Sequence, residues 1–424
     1  MKFICCLLFC LIFFASCDNT DTLFEKLPSS QTNITFKNTL DESPEFNVLK
    51  YGYFYNGGGV AAGDFNNDGL TDLYFTGNLN ANKLYLNKTE PGSGKVTFED
   101  ITDKAGVGAA DGWNTGVSVV DINADGWLDL YVCRSAATDA RLRRNLLFIN
   151  NKNLTFSEKA AEYGLDDPAY STQAAFFDYD RDGDLDCFLL NHSVQEFAGF
   201  SRMIADFKQQ TNPNYSSKLY RNDRNTGGKF VDVSNSSGMV SNVLSFGLGV
   251  AVSDFNNDGW LDFYVSNDYN ENDYLYINQQ NGQFEEVVRE SMGHTSLYSM
   301  GSDAADVNND GRIDLLTLDM LPEGNERIKL TSGDDNYDKY NQLLRAGFHH
   351  QTMRNMLQLN VGDGGGSRGK RGRKGTRGKR QRQIPFLPFV PLFLSSPSSY
   401  LQRNWATGGS VKYRLELGGT VCRF

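Results

Sequence analysis

The segment Asp254-Phe-Asn-Asn-Asp-Gly-Trp-Leu-Asp262 decides the fold, because four other segments of the chain repeat its pattern. They are Asp64-Phe-Asn-Asn-Asp-Gly-Leu-Thr-Asp72, Asp121-Ile-Asn-Ala-Asp-Gly-Trp-Leu-Asp129, Asp178-Tyr-Asp-Arg-Asp-Gly-Asp-Leu-Asp186 and Asp306-Val-Asn-Asn-Asp-Gly-Arg-Ile-Asp314. Self-similarity at a spacing of 52 to 76 residues is the signature of a repeat architecture.

The flanks of each segment also repeat, and they predict four short strands per unit. A glycine-rich apolar strand precedes the loop and an aromatic strand follows it. A third strand ends in Asn, and a fourth begins with Phe. The third strand is expected at 83–87, 145–150, 218–222 and 274–278, and the fourth at 98–100, 156–158, 230–232 and 284–286. Four antiparallel strands per unit are typical of a propeller blade, so we predict an all-β fold, an incomplete β-propeller of about five to six blades.

Each nine-residue loop places oxygen-bearing side chains at positions 1, 3, 5 and 9, with glycine at position 6 for a sharp bend. All of these ligands are hard oxygens, which favours Ca²⁺ over zinc or copper, and an all-protein cage disfavours Mg²⁺. The alternative is a set of plain polar turns. The predicted metal ligands, one calcium ion per loop at five sites, are Asp64, Asn66, Asp68, Asp72, Asp121, Asn123, Asp125, Asp129, Asp178, Asp180, Asp182, Asp186, Asp254, Asn256, Asp258, Asp262, Asp306, Asn308, Asp310 and Asp314.

The N-terminus predicts export. An apolar run at 3–14 is too short to span a bilayer and precedes Ala15-Ser16-Cys17, as in a secretory signal with a lipobox. We expect residues 1–17 to be a lipoprotein signal, Cys17 to be acylated, residues 18–45 to form a linker or first strand, and the protein to reach the outer membrane or cell surface. An ordinary cleaved signal is the alternative. Cys133 and Cys187 lie in strand-like runs and are expected to be buried thiols.

These residues resemble the FG-GAP/VCBS repeat family, whose blades also build the integrin α-chain propeller. More narrowly, the chain is similar to exported bacterial proteins that join such repeats to a terminal ASPIC/UnbV domain. The resemblance covers about residues 20–362 and rests on Asn56-Gly-Gly-Gly-Val60, Leu190-Asn-His192, Met300-Gly-Ser-Asp303, Leu318-Asp-Met-Leu-Pro322 and Gly347-Phe-His-His350. It implies propeller repeats over 46–362, calcium in the five loops, and a role in adhesion or surface nutrient handling.

The tail departs from the family. Residues 363–424 carry 13 basic and two acidic residues, whereas 28 basic and 50 acidic residues precede them. Reading residues 401–424 one base later can restore the missing edge strand and the approach to a sixth loop. We therefore expect a frameshifted, largely disordered tail that lacks the family's terminal domain. A basic arm for nucleic acid or anionic lipid is the alternative.

The function predicted from the sequence is a non-catalytic binding or scaffolding module with a surface glycan, peptide or protein as its ligand. Its only membrane contact would be the lipid anchor. The acidic body repels phosphate, so nucleic acid is not expected. The alternative is a propeller-based polysaccharide-degrading enzyme, for which the candidate groups are His192, His349, His350, Asp303 and Asp319. No nucleophile elbow, P-loop or HExxH motif supports that alternative.

Overall fold

The computed structural model describes residues 23–194, 204–224, 227–331 and 337–362. The expected signal at 1–17, with Cys17, and the tail at 363–424 lie outside the described residues. What the sequence predicts for these two segments stays a prediction.

Four antiparallel sheets follow one another along the chain, and each has its four strands in sequence order. Blade 1 consists of β1 (Val60–Gly63), β2 (Asp72–Phe75), β3 (Lys83–Asn87) and β4 (Phe98–Asp100). Blade 2 consists of β5 (Trp113–Val120), β6 (Asp129–Ser135), β7 (Leu146–Asn150) and β8 (Phe156–Glu158). Blade 3 consists of β9 (Ser171–Phe177), β10 (Asp186–Asn191), β11 (Lys218–Asn222) and β12 (Phe230–Asp232). Blade 4 consists of β13 (Gly247–Ser253), β14 (Asp262–Asn267), β15 (Tyr274–Asn278) and β16 (Phe284–Glu286).

Blade 5 has three described strands, which pair in the same order. They are β18 (Gly301–Ala305), β19 (Asp314–Leu318) and β21 (Met356–Gln358). Beside them, β17 (Thr295–Ser296) and β20 (Gln351–Thr352) form a short parallel pair. Any fourth strand of this blade would fall beyond the described residues.

The helices are short and connect the strands. They are α1 (Ser29–Thr32), α2 (Thr102–Ala105), α3 (Ala140–Arg143), α4 (Ala160–Tyr163), α5 (Ile204–Phe207), α6 (Val288–Ser291), α7 (Asn325–Thr331) and α8 (Tyr337–Arg345). Helices α2 and α4 each end at a glycine with positive φ, Gly106 and Gly164, where the repeat predicts only a turn. Within the described parts of the chain, no helix is long and apolar enough to cross a bilayer.

The hydrophobic core lies between consecutive blades. Tyr131 and Cys133 of blade 2, for example, share one buried cluster with Cys187 and Leu189 of blade 3. Equivalent clusters join blades 1 and 2, blades 3 and 4, and blades 4 and 5. The first strands of successive blades are also neighbours, as expected for radially stacked sheets that bury both faces. The fold is all-β and propeller-like, and Cys133 and Cys187 are buried free thiols, as predicted.

An aromatic segment before blade 1 completes this core. Tyr51, Tyr53 and Phe54 are buried and pack with Trp113 and Phe246 of blades 2 and 4. Edge-to-face contacts link the rings, such as Tyr51 and Trp113 at 5.6 Å between centroids. These aromatic side chains therefore belong to the core and do not form an exposed stacking platform.

Candidate metal centres

Each predicted loop connects the first and second strands of its blade. Loops 1 to 5 are residues 64–72, 121–129, 178–186, 254–262 and 306–314. In every loop the residue at position 4 and the glycine at position 6 have positive φ, as at Asn257 (59°) and Gly259 (85°). A β-branched or bulky residue would be strained at such angles, which explains the small or flexible residue at position 4 in most loops and the glycine at position 6.

The first aspartate of each loop organises the turn. In loop 4, Asp254 Oδ1 accepts from the amide of Asp258 at 3.0 Å, and Asp254 Oδ2 accepts from the amide of Gly259 at 2.7 Å. The same two bonds occur in loops 1, 2 and 5. These two bonds hold the carboxylate of position 1 against the backbone of positions 5 and 6.

The last aspartate starts the second strand and is buried in all five loops, with at most 1% exposure. In loop 4, Asp262 Oδ2 accepts from the amide of Phe255 at 2.9 Å and Asp262 Oδ1 from the amide of Asn278 at 2.8 Å. Burial raises the pKa of Asp262 to about 6, and that of Asp129 to about 6. A cation beside such a carboxylate would offset the lost hydration of its charge.

Loop 3 differs from the others because it carries five carboxylates. Carboxyl oxygens of Asp178, Asp180 and Asp186 lie within 4.8 Å of one another, a spacing that suits one metal ion. Asp178 Oδ1 is buried and has no hydrogen-bond partner. Burial raises the pKa of Asp186 to about 8, repulsion from Asp180 and Asp184 adds to the rise, and two amide hydrogen bonds oppose it. This loop therefore gathers negative charge, and Arg221, which attracts Asp180 through space, is itself paired with Asp223 at 2.7 Å.

The other loops have asparagine at position 3, and three acidic side chains do not converge in any of them as they do in loop 3. In loops 1, 4 and 5 the asparagine amide donates to the aspartate at position 5, as from Asn256 Nδ2 to Asp258 Oδ2 at 2.9 Å. In loop 2, Asp125 has an ion pair with Lys152 at 3.3 Å. Across the described ranges, three acidic side chains converge in loop 3 and in no other loop.

Contacts between neighbouring loops were missed by sequence reasoning. At position 4, Asn67 Nδ2 donates to Gly126 O at 3.1 Å and Asn257 Nδ2 donates to Gly311 O at 3.0 Å. Arg181 also donates to Gly259 O and lies over the Trp260 ring at 4.8 Å. Successive loops therefore meet along one edge of the blades, and the repeated Asn at position 4 was the signal available in the sequence.

A second contact joins blades 2, 4 and 5 to the loop of the blade before them. Asn150 Nδ2 donates to Phe65 O at 2.9 Å, Asn278 Nδ2 to Tyr179 O at 2.8 Å, and Asn360 Nδ2 to Phe255 O at 2.8 Å. In these three blades an asparagine at the end of the third strand, or two residues beyond it, thus bonds to position 2 of the loop in the preceding blade, whereas Asn222 of blade 3 donates to Leu185 O of its own loop. Ordering one loop should order the next blade as well.

The three histidines proposed for the enzyme alternative differ in their burial and in their hydrogen-bond partners. His192 is fully buried, and its Nδ1 donates to Ser193 O at 2.9 Å while its Nε2 lies 2.7 Å from Ser135 Oγ. Burial lowers the pKa of His192 to about 4. His349 Nε2 donates to Met292 O at 2.9 Å, and His350 is exposed with Nδ1 at 2.5 Å from Tyr340 OH.

Of the two carboxylates in that alternative, Asp303 is exposed and Asp319 is buried. Asp303 Oδ1 accepts from the amide of Ala304 at 2.8 Å. Asp319 Oδ2 accepts from Ser296 Oγ and from the amides of Leu297 and Tyr298.

Residues 64–132 and 254–317 match the family of FG-GAP-like repeats. Both stretches are therefore similar to FG-GAP-like repeats. These two regions contain loops 1, 2, 4 and 5, with the strands between loops 1 and 2 and between loops 4 and 5. The chain is also 29% identical over 206 residues to cartilage acidic protein 1 of Xenopus tropicalis, a match that covers 46% of this chain and 30% of that protein.

Two solved structures resemble the chain at low identity. One is a lectin of Agrocybe aegerita that recognises non-reducing terminal N-acetylglucosamine, with 14% identity and a TM-score of 0.35, covering 61% of this chain and 60% of the lectin. The other is the V. cholerae biofilm matrix protein Bap1, with 13% identity and a TM-score of 0.29, covering 61% of this chain and 34% of Bap1.

Proposed function

We propose that this FG-GAP-like repeat protein is a calcium-binding β-propeller that acts as a non-catalytic binding or scaffolding module in adhesion or nutrient capture. It is exported and held at the outer membrane or cell surface by lipid on Cys17. The metal part of the proposal rests on one observation. In loop 3, Asp178, Asp180 and Asp186 converge within 4.8 Å, and Asp178 Oδ1 is buried without a partner.

The donor set supports calcium. Every proposed ligand is a carboxylate or amide oxygen, and calcium accepts such hard oxygens in flexible geometry. When bound, calcium would neutralise the carboxylates of a loop and tie its two strands together. Because the two described cysteines form no disulfide, this stabilisation would take the place of covalent crosslinks.

The binding role is supported by the arrangement of the blades. The loops and strand turns lie at the two ends of the sheets, where a glycan, peptide or protein ligand would contact several repeats at once. Buried His192 is already occupied by hydrogen bonds to Ser135 and Ser193. This favours a binding module over a polysaccharide-degrading enzyme that would use His192.

Calcium per chain tests the metal part. The full chain is dialysed against buffered free calcium, and bound calcium is measured by elemental analysis. Asp178→Asn with Asp186→Asn should lose about one ion, as expected for one site per loop. Asp41→Asn, which makes the same change at an exposed position, is the matched control. Equal calcium in all three proteins would contradict the proposal.

A further inference from the structure

The third strand of blade 5 has a free edge in the described part of the chain. In blades 1 to 4 the third strand lies between the second and the fourth, whereas β21 pairs with β19 alone. Asn360 follows β21 as Asn278 ends the third strand of blade 4, because each amide donates to the last aspartate of its loop at 2.8 Å. The place for a fourth strand therefore runs along residues 357–360.

The fourth strands of blades 1 to 4 share one chemistry. Each begins with a phenylalanine that is at most 9% exposed, and this residue pairs with the asparagine that ends the third strand. Two residues later each strand has an acid, at Asp100, Glu158, Asp232 and Glu286. In blades 2 and 4 this glutamate accepts from the amide of a third-strand leucine, as Glu286 Oε1 does from Leu275 N at 3.3 Å.

The phenylalanine of the fourth strand packs against the loop of the blade before it. The ring centroids of Phe156 and Phe65 are 6.2 Å apart, and those of Phe284 and Tyr179 are 5.8 Å apart. Phe65 and Tyr179 are the second residues of loops 1 and 3 and are at most 2% exposed. Phe255, the second residue of loop 4, is only half-buried, and within the described residues no fourth-strand phenylalanine covers it.

Leu357 of blade 5 is the counterpart of Leu275, since each lies three residues before the asparagine. The carbonyl of Leu275 accepts from the amide of Val287 at 2.8 Å, and its amide donates to Glu286. Leu357 has neither of these bonds in the described ranges, and 49% of its surface is exposed. An edge strand with open amide and carbonyl groups can pair with an added strand.

We propose that the open edge of blade 5 is a peptide-binding site that takes an extended segment of a partner protein, with the sequence Phe-x-Glu, as its fourth strand. In this complex the phenylalanine packs on Phe255 and the glutamate accepts from the amide of Leu357. The inference names a ligand class for the proposed binding module and rests on that function.

The rest of this chain is a poor source of such a strand. Residues 363–424 have phenylalanine at four positions, and none is followed two residues later by an acid. Two of them are instead followed at that position by Pro388 and Pro391, which cannot donate to a strand ladder. In a second copy, the four described Phe-x-acid strands already pair within their own blades. The occupant is therefore a segment of another protein.

A synthetic peptide of residues 282–292 tests the site, because it contains the Phe-x-Glu strand of blade 4 and the turn that follows. Isothermal titration calorimetry measures its binding to the full chain in saturating calcium, and we expect one peptide per chain. A Phe284→Ala peptide should bind at least about tenfold more weakly, because it loses a buried aromatic ring. Methylation of the Glu285 amide keeps every side chain but blocks strand pairing, so it should abolish binding. Equal binding of the three peptides would overturn the proposal.

Two variants of the full chain locate the site on blade 5. Leu359 lies two residues beyond Leu357 on the same edge, so Leu359→Pro removes an edge amide and should abolish peptide binding. Leu359→Ala keeps the amide and should bind the peptide like wild type. Equal binding by the two variants would contradict the site, and if Leu359→Pro does not fold, the three peptides still test it.

Calcium per chain, measured on the same samples, separates this inference from the proposed function. A chain that takes up calcium in loop 3 but binds no peptide at about 1 mM would overturn the peptide site alone, and would indicate that the edge is closed by the tail or by a second copy. A chain that binds the peptide without taking up calcium would support the peptide site and contradict the metal part of the proposed function.

Discussion

Replacing Asp186 by asparagine should change the free energy of unfolding in opposite directions under different conditions. Without calcium, the variant should be less stable than wild type at pH 4 and more stable at pH 8. With calcium, it should be less stable than wild type at pH 8. The ordinary pKa of 3.8 rises to about 8 in the metal-free fold, mainly through burial. The folded state therefore binds this proton more tightly than the unfolded state, and metal-free stability falls as pH rises from about 4 to about 8. Each pKa unit corresponds to about 1.4 kcal/mol, so the ionised carboxylate destabilises the metal-free fold by about 6 kcal/mol at high pH.

The asparagine side chain removes that charge but also one acceptor. Asp186 accepts from the amides of Tyr179 and Asn222 at 3.1 and 2.8 Å, and an amide nitrogen can accept from neither. One unsatisfied buried donor costs about 1–3 kcal/mol. Without metal, Asp186→Asn should therefore be less stable than wild type at pH 4 and more stable by about 4 kcal/mol at pH 8.

Calcium should reverse the order at pH 8, because the variant has lost a charged ligand of loop 3. The assay is guanidinium denaturation of calcium-depleted and calcium-saturated protein at pH 4, 6 and 8, with Asp41→Asn as the control. If Asp186→Asn is less stable than wild type at every pH without calcium, the carboxylate is not an uncompensated buried charge. The argument for a metal in loop 3 would then be refuted.

Three further changes test other parts of the account. Asn257→Gly keeps the positive φ but removes the donor to Gly311 O, so it should lower the stability of the calcium-saturated protein by about 1 kcal/mol in denaturation experiments. Ala124→Gly removes no donor at the same loop position and should leave that stability unchanged. Equal effects of the two substitutions would contradict a role for the contact. His192→Gln should make the protein less sensitive to acid, because the lowered pKa of His192 makes the wild type lose up to about 3 kcal/mol of stability as pH falls from 6.5 to 4. Denaturation midpoints of both proteins at pH 7.5 and 4.5 measure this difference. Equal losses of stability in the two proteins would contradict it. Cys17→Ala should move the protein from the detergent phase to the aqueous phase in a partition experiment, because the lipid would be missing; persistence in the detergent phase would exclude this anchor.

The repeat pattern predicted much of the fold because each blade uses the same local signals. The strands Lys83–Asn87, Phe98–Asp100 and Tyr274–Asn278 begin and end at the predicted residues. The positions of the five loops were also predicted from the sequence, because the oxygen-bearing side chains and the glycine recur at fixed positions in each repeat. Both successes come from local sequence, where turn chemistry and alternation determine the structure.

What the sequence did not reveal depends on contacts between distant residues. Helices α7 and α8 interrupt blade 5 between its second and third strands, where no repeat pattern extends. Loop 3 differs from loop 4 through the way its carboxylates converge, which composition alone does not show. The hydrogen bond from Ser296 Oγ to the buried Asp319 joins residues 23 positions apart, and nothing in their local sequence predicts that contact.

Thermal unfolding of the full chain, with saturating calcium and after calcium removal, tests the central claim most directly. A ligand present at 100 times its dissociation constant stabilises the folded state by about 2.7 kcal/mol per site. Calcium in the FG-GAP-like loops should therefore raise the melting temperature well beyond the shift seen with an equal concentration of Mg²⁺. Identical melting temperatures with and without calcium would contradict the account, because the loops would then be polar turns that hold no metal.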